Sequence, residues 1–276
     1  MKNTLLIALS LGVTIAAAST TAIAIDPETD RLQMIDYFKA KNPKIPFEAY
    51  ANGGYIYSAD KMAQWESVEE FPPYLDAIDQ GEAHYNKDKA TYDKCFGTDV
   101  SVIRPKYPYF DEKAQKVITL EASINSCRTD AGLEAYKWKK GALAQVSAYL
   151  AYNSRGQKID VKIDSEGALK AYEAGRDIFM KPSGQLGLSC AQCHTYNSGR
   201  LARADILSPM LGHTTHFPVF RAKWMELGTL HRRYEGCHKN MRALPFKVQG
   251  EEYSNLEFFE AYMSNNFEIN GPGYRQ

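Results

Sequence analysis

The chain has 276 residues, of which 44% are apolar, with 33 lysines and arginines against 33 aspartates and glutamates. That is enough length and apolar content for one large or two small folded units. The even charge balance excludes a general attraction to nucleic acid or to an anionic membrane surface, so any anion site must be built locally.

Residues 1–24 carry one lysine, at position 2, then an apolar run from Leu5 to Ala18, and end in Ala22-Ile23-Ala24. This pattern predicts a secretory leader cleaved after Ala24. The run is shorter than the roughly 20 residues a spanning helix needs. No later stretch is apolar enough to cross a bilayer, so export to the periplasm without a membrane span is expected.

Asp26-Pro27-Glu28 sets a cap, a proline at the first helical position and an early acid, and Leu32, Ile35 and Phe38 follow at spacing three. A first helix is predicted, stopped by Asn42-Pro43. Between Pro46 and Pro73 the pattern is mixed, with a turn at Gly53-Gly54 and room for a short helix after Asp60.

Two helical segments each lead to a cysteine: Pro73 to Cys95, and Asp164 to Cys190. In the second, Leu169, Tyr172 and Phe179 share a face, with Gly175 where another backbone can approach. Further on the sequence repeats itself. Thr119-Leu120 precedes Cys127 by eight residues and Thr229-Leu230 precedes Cys237 by eight, and Phe110 and Phe220 each stand seventeen before the same cysteines. After each cysteine comes an apolar-periodic stretch, aligned by type as Ala148-Tyr149-Leu150 with Ala261-Tyr262-Met263. The chain therefore reads as two copies of one unit, residues 25–155 and 163–276, joined by a polar linker from Asn153 to Lys162 that contains Gly156.

The second copy contains Cys190-Ala191-Gln192-Cys193-His194. Two thiols three apart followed by an imidazole form the attachment signature of a c-type haem, with Cys190 and Cys193 as thioethers and His194 on the iron. No second Cys-x-x-Cys completes a zinc set. In the first copy the matching stretch is Cys95-Phe96-Gly97-Thr98-Asp99, which lacks the second cysteine and the histidine. One haem is expected, in the second copy only. Cys95 and Cys127 are left without it, and a disulfide between them is predicted in an oxidising compartment. The fold class is thus all-α, a tandem duplication of cytochrome c-like domains of which the first lacks haem.

The sixth iron ligand is open among Met210, His213, His216, Met225, His231, Cys237, His238 and Met241. Cys237 is distinguished by its repeat partner Cys127. A thiolate on iron favours the ferric state, which suits a reacting sulfur better than a simple electron relay.

Arg232-Arg233-Tyr234-Glu235-Gly236-Cys237, then Asn240-Met241-Arg242, together with the haem motif and the duplication, resembles the SoxA family, the larger cytochrome subunits of thiosulfate-oxidising Sox complexes. The resemblance spans most of the chain and points to a single-haem form. It implies that Cys237 is both distal ligand and the cysteine that carries a persulfide, and that Arg233 contacts substrate. Ser123, at the matching place in the first copy, implies one working site. Arg233 lies four residues before Cys237, about one helical turn, and a guanidinium fork suits a sulfonate.

The family further implies an L-cysteine S-thiosulfotransferase activity: thiosulfate is joined oxidatively to a cysteine of a carrier. The implied partners are a small SoxX-like cytochrome in a heterodimer and a SoxYZ-like sulfur carrier. Two other readings compete. One is a non-catalytic electron-transfer cytochrome with Met210, Met225 or Met241 on the iron; the other is a thiosulfate dehydrogenase forming tetrathionate, whose relatives carry two intact haem motifs where this chain has one.

Overall fold

The structure, a computed structural model, describes residues 26–276, so the expected leader lies outside the described residues. Helix α1 (Pro27–Lys41) begins where the Asp26 side chain accepts from the Thr29 amide at 3.2 Å, and it ends at Asn42. Its buried face is Arg31, Ile35 and Phe38, at spacings of four and three; Leu32 is 48% exposed and takes no part. Tight helical turns over Phe47–Tyr57, broken at Gly53 where φ is 67°, lead to α2 (Ala59–Glu70).

Two similar units follow. The first comprises α3 (Leu75–Lys87), α4 (Lys89–Phe96), strands β1 (Tyr109–Asp111) and β2 (Lys116–Ile118), α5 (Leu120–Asp130) and α6 (Ala142–Asn153). The second comprises α7 (Glu166–Met180), a small hairpin of β3 (Leu201–Ala202) with β4 (Asp205–Ile206), then β5 (Val219–Arg221), β6 (Glu226–Gly228), α8 (Leu230–Asn240), α9 (Glu251–Met263) and β7 (Gly273–Arg275). The first and last helices of each unit cross at a glycine. A Cβ on Gly81 would stand 2.0 Å from the Gln145 carbonyl oxygen, and one on Gly175 would stand 2.0 Å from that of Asn255. Only a residue without a side chain lets the backbones meet this closely.

These crossings correct the alignment read from the apolar pattern. Tyr149 lies beside Gly81 as Phe259 lies beside Gly175, so Phe259 is the structural partner of Tyr149, not Tyr262. The pattern matched three residues out of register because three residues is close to one helical turn and apolar residues recur there too.

The molecule is mostly helical, but all-α is too simple for it. Seven strands of two or three residues, among the described residues, form two hairpins and a three-stranded sheet in the order β6-β5-β7, with β7 parallel to β5. Strands this short escape period-two patterning because they show no full alternation.

The packing also departs from a boundary at 155. Ile35, Phe38, Tyr50 and Ala51, from the N-terminal segment, share a core with Tyr172, Phe179, Leu256 and Phe259 of the second unit. The polar stretch after α6 is not a free tether: Ile159 and Val161 are buried in that core, and the amides of Gly156 and Ile159 donate to the carbonyls of Ile269 and Phe267 at 3.0 Å each.

The first unit has its own core, with Tyr85 stacked on Tyr92 at 4.8 Å and Phe96 between Tyr92 and Tyr107. Cys95 and Cys127 are bonded to each other there. Asp99 turns away to cap the next helical turn, accepting from the Ser101 amide at 3.0 Å.

Candidate functional site

The haem motif sits on a locally specified turn. Ser189 and Gln192 form a capping box, with the Ser189 hydroxyl accepting from the Gln192 amide at 3.1 Å and the Gln192 side chain accepting from the Ser189 amide at 2.9 Å. A single wide helical turn, Gln192–Tyr196, follows. Lys41, at the end of α1, donates to the carbonyls of Thr195 and Tyr196 and to the Ser198 hydroxyl at 2.9 to 3.0 Å, tying the N-terminal helix to the motif.

Cys190, Cys193 and His194 together line one cavity of about 430 Å³, and Arg233, Cys237, Met241 and Leu256 line it as well. All three cysteines there are unpaired thiols. Burial pushes the Cys190 thiol up, with Glu260 and Cys237 adding to the effect. Cys193 is pushed up by burial and by Cys237, against the opposing pull of Arg233. The His194 Nδ1 meets the Ser208 carbonyl at 3.0 Å, which leaves Nε2 available to a metal. Burial, then His213, hold this imidazole well below its usual range and hence neutral, the form that binds a metal. Two thiols, a neutral imidazole with its second nitrogen occupied, and a largely apolar pocket are a donor set that fits a covalently held haem.

Helix α8 supplies the opposing chemistry. Four residues of rise put Arg233 about one turn before Cys237. The acids that would otherwise neutralise Arg233 are engaged elsewhere. Glu235 pairs with Lys139 at 2.9 Å and Lys239 at 2.5 Å; Glu226 pairs with Lys140 at 3.2 Å and Arg232 at 3.0 Å. Among the described residues, Arg233 makes no side-chain hydrogen bond or ion pair, whereas Arg232 also lies over Trp224, 4.3 Å from its ring centre. A second, wider cleft of about 920 Å³ adjoins the cavity, and Arg221, Lys223, Arg233 and Asn240 line both. Its outer wall comes from the first unit, at Trp138, Lys139 and Lys140.

The other candidate ligands are dispersed. Met225 is 77% exposed, and Met210 is buried in the main core without lining the cavity. His231 is buried against Glu257, its Nε2 3.1 Å from that carboxylate. His213 stands behind His194, Nε2 to Nδ1 3.1 Å, and its Nδ1 meets Glu260 at 3.1 Å. Tyr234 donates to the same carboxylate at 2.5 Å. His213, His216, His238 and Met241 do line the cavity. Sequence reasoning gave no role to Glu260, Tyr234 or Arg275, which also line it. Glu260 had one available signal, a charged residue on the apolar face of a helix.

Comparison with known proteins gives a consistent answer. A family profile described as SoxA/TsdA, cytochrome c domain, matches residues 80–159 and 174–269. The chain is 45% identical over 287 aligned residues to the L-cysteine S-thiosulfotransferase subunit SoxA of Chlorobaculum tepidum, with 100% of both chains covered. It is 48% identical to the protein of the same name from Chlorobaculum thiosulfatiphilum, covering 94% of this chain and 91% of that one, and 43% identical to that of Allochromatium vinosum, covering 96% and 95%. In the crystal structure of SoxXA from P. pantotrophus, one chain superposes with a TM-score of 0.70 at 28% identity, covering 78% of this chain and 84% of that one. The two matched segments correspond to the two glycine-crossed units, and full-length identity above 40% leaves one assignment: the chain belongs to the SoxA family of cytochrome c-domain proteins.

Proposed function

We propose that this chain is the catalytic subunit of an L-cysteine S-thiosulfotransferase, joining thiosulfate to a cysteine of a sulfur-carrier protein. The observation that carries the reading is an arginine without a partner, Arg233, one turn from an unpaired thiol, Cys237, in the wall shared with Cys190, Cys193 and His194. Per event, a carrier thiol and thiosulfate become a carrier S-thiosulfonate, with release of one proton and two electrons.

Arg233 binds the sulfonate oxygens through its fork, a charge-assisted contact, and Arg221 adds positive potential in the same cavity. Cys237 holds the transferred group covalently, so that one difficult coupling is divided into two steps: its thiol is joined to thiosulfate with loss of one proton and two electrons, and the carrier thiol then takes the group by thiol–disulfide exchange, which returns the Cys237 thiol. Cys190 and Cys193 would hold a c-type haem as thioethers, and His194 and Cys237 would bind its iron. When bound, that haem supplies a one-electron acceptor. The second electron calls for another centre, and a SoxX-like small cytochrome in a heterodimer provides it. The wide basic cleft leading to Arg233 is the approach for a SoxYZ-like carrier.

A single haem is supported by the first unit, where Tyr92, Phe96 and Tyr107 fill the core next to the disulfide of Cys95 and Cys127. The first unit then serves as scaffold and as the outer wall of the cleft. A periplasmic location is supported by the leader-like residues 1–24, by the haem motif and by the disulfide; no described helix is long and apolar enough to cross a membrane.

Met241 also lines the cavity and carries the competing reading of a non-catalytic electron carrier. The two separate in one experiment. Cys237→Ser in the purified complex is assayed for addition of thiosulfate to a carrier cysteine by mass, alongside the spin-resonance spectrum. Loss of coupling and of a thiolate-type ferric signal is expected. Undiminished coupling in that variant would remove the mechanism.

A further inference from the structure

Strand β7 runs parallel to β5 with Arg275 opposite Arg221, and both arginines line the cavity that holds the haem motif. They are satisfied very differently. Arg221 gives Nε and Nη2 to the Gln276 carbonyl at 3.0 and 2.6 Å and reaches Asp205 at 3.5 Å. Arg275 gives Nη1 to the Tyr274 carbonyl at 2.8 Å, while its buried Nη2 has no hydrogen-bond partner.

The Arg275 guanidinium is held in place with care. Tyr55 and Trp65 are stacked 5.5 Å apart, and Arg275 lies 5.2 and 5.8 Å from their ring centres. Gly53, at φ 67°, lets the chain pass so close that a Cβ there would come within 3.5 Å of Nη2. The nearby acid is engaged elsewhere: Glu69 accepts from the Trp65 indole at 3.1 Å, from the Tyr274 amide at 2.8 Å and from the Tyr74 hydroxyl. No carboxylate among the described residues lies within ion-pair distance of Arg275. His216, in the same cavity wall, is buried with an unpartnered Nδ1, and burial together with the charge of Arg275 keeps its ring neutral. An enclosed guanidinium without a counter-charge is an arrangement that an anionic ligand completes.

We propose that Arg275, with His216 beside it, forms a carboxylate-binding site in the cavity wall that receives a propionate of the haem. This rests on the haem reading above. Thioether bonds at Cys190 and Cys193 fix the vinyl edge of a porphyrin, and its propionates leave from the opposite edge. Arg233, on α8, lines both the cavity and the basic cleft that adjoins it, whereas Arg275, on β7, lines the cavity and not the cleft. The sulfonate contact and the propionate contact are therefore assigned to different elements and different arginines.

The test uses holoprotein whose haem is 13C-labelled at the propionate carboxylates by feeding labelled 5-aminolevulinate. Covalent haem is verified first, by mass and by the pyridine haemochrome band; its absence would sink the haem reading itself, independently of Arg275. In Arg275→Gln, the labelled carboxylate band in the infrared spectrum and the propionate bending band in the resonance Raman spectrum are expected to move. The midpoint potential should fall, because an uncompensated propionate favours ferric iron. A change of about tenfold in the reduction equilibrium, about 59 mV for one electron, is the size a charge-assisted hydrogen bond carries. Arg275→Lys, which keeps the charge and loses the fork, should restore the potential in part. Unchanged bands and potential in Arg275→Gln with normal haem content would overturn the assignment. Should Arg275→Gln not accumulate, the wild-type protein decides. A propionate on Arg275 stays ionised well below its ordinary range, and a haem whose two labelled carboxyls both protonate within that range refutes the contact.

Discussion

Replacing Gly175 with alanine tests the architecture that carries the cavity. Alanine is the better helix former by about 1 kcal/mol, so on local grounds the change stabilises α7. The structure predicts the reverse. The new Cβ would lie 2.0 Å from the Asn255 carbonyl oxygen, 2.6 Å from its carbon and 2.9 Å from the Phe259 Cβ, where ordinary contact begins near 3.4 Å. Two of these are backbone atoms of α9 and cannot rotate away, so the helices must separate by more than an ångström. Overpacking of well-filled cores costs typically about 1–3 kcal/mol, occasionally more, and a clash with rigid backbone belongs at the upper end. Subtracting the propensity gain leaves a net loss of about 2 kcal/mol or more, or roughly 4–8 °C in melting temperature for a chain of this size.

Gly236→Ala in α8 is the control, because a Cβ there meets nothing closer than 3.9 Å, at an Arg233 nitrogen. It gains propensity without a clash and should be neutral to about 1 kcal/mol stabilising. Urea unfolding of both variants and wild type reads the difference directly. Leu256 and Glu260 on α9 line the cavity, so Gly175→Ala should also lower covalent haem content. A Gly175→Ala protein as stable as Gly236→Ala would refute the claim that close backbone approach is what the glycine provides.

Other outcomes follow from the same geometry. Arg233→Met should cut kcat/KM for thiosulfate about 10- to 100-fold, the worth of a hydrogen bond to a charged group, with Arg233→Lys in between; steady-state kinetics at several thiosulfate concentrations measures it. Replacing Cys95 and Cys127 together with serine removes a crosslink spanning 32 positions, and the chain-entropy relation gives a loss of about 3 to 4 kcal/mol in urea unfolding while the haem content of the second unit is retained.

Burial, and secondarily Glu257, push the Glu121 carboxyl above the usual glutamate range, although Ser147 donates to it at 2.9 Å. The folded state therefore binds the proton more tightly than the unfolded one. This contribution to stability is full below the unfolded pKa and is lost as pH rises from there through the folded value. Glu121→Gln keeps the Ser147 contact and should flatten that decline, as seen by comparing unfolding midpoints at about pH 5 and pH 8. An unchanged slope would show that the carboxyl does not carry it.

The haem motif was legible in the sequence because its chemistry is local: two thiols and an imidazole within five residues, on a turn that Ser189 and Gln192 cap for themselves. The same holds for Arg233 and Cys237, whose four-residue spacing on one helix fixes their relation before any tertiary contact is made. The duplication was legible as a spacing, but its register in α6 and α9 was not. Apolar residues recur nearly every turn, and only the glycine crossings distinguish one alignment from the next.

Tertiary structure alone decided the rest. That α1 belongs to the core of the second unit depends on contacts such as Lys41 with Thr195, across more than 150 positions, which no local pattern encodes. That Arg233 is free depends on Glu235 and Glu226 being claimed by Lys139 and Lys140 from the other unit, with Lys239 and Arg232 alongside. The surroundings of Arg275 are assembled from residues 53, 55, 65 and 216, each unremarkable in sequence. Chemistry confined to a few neighbouring residues can be read from their order, whereas the charge state and freedom of a side chain are set by whatever the fold brings against it.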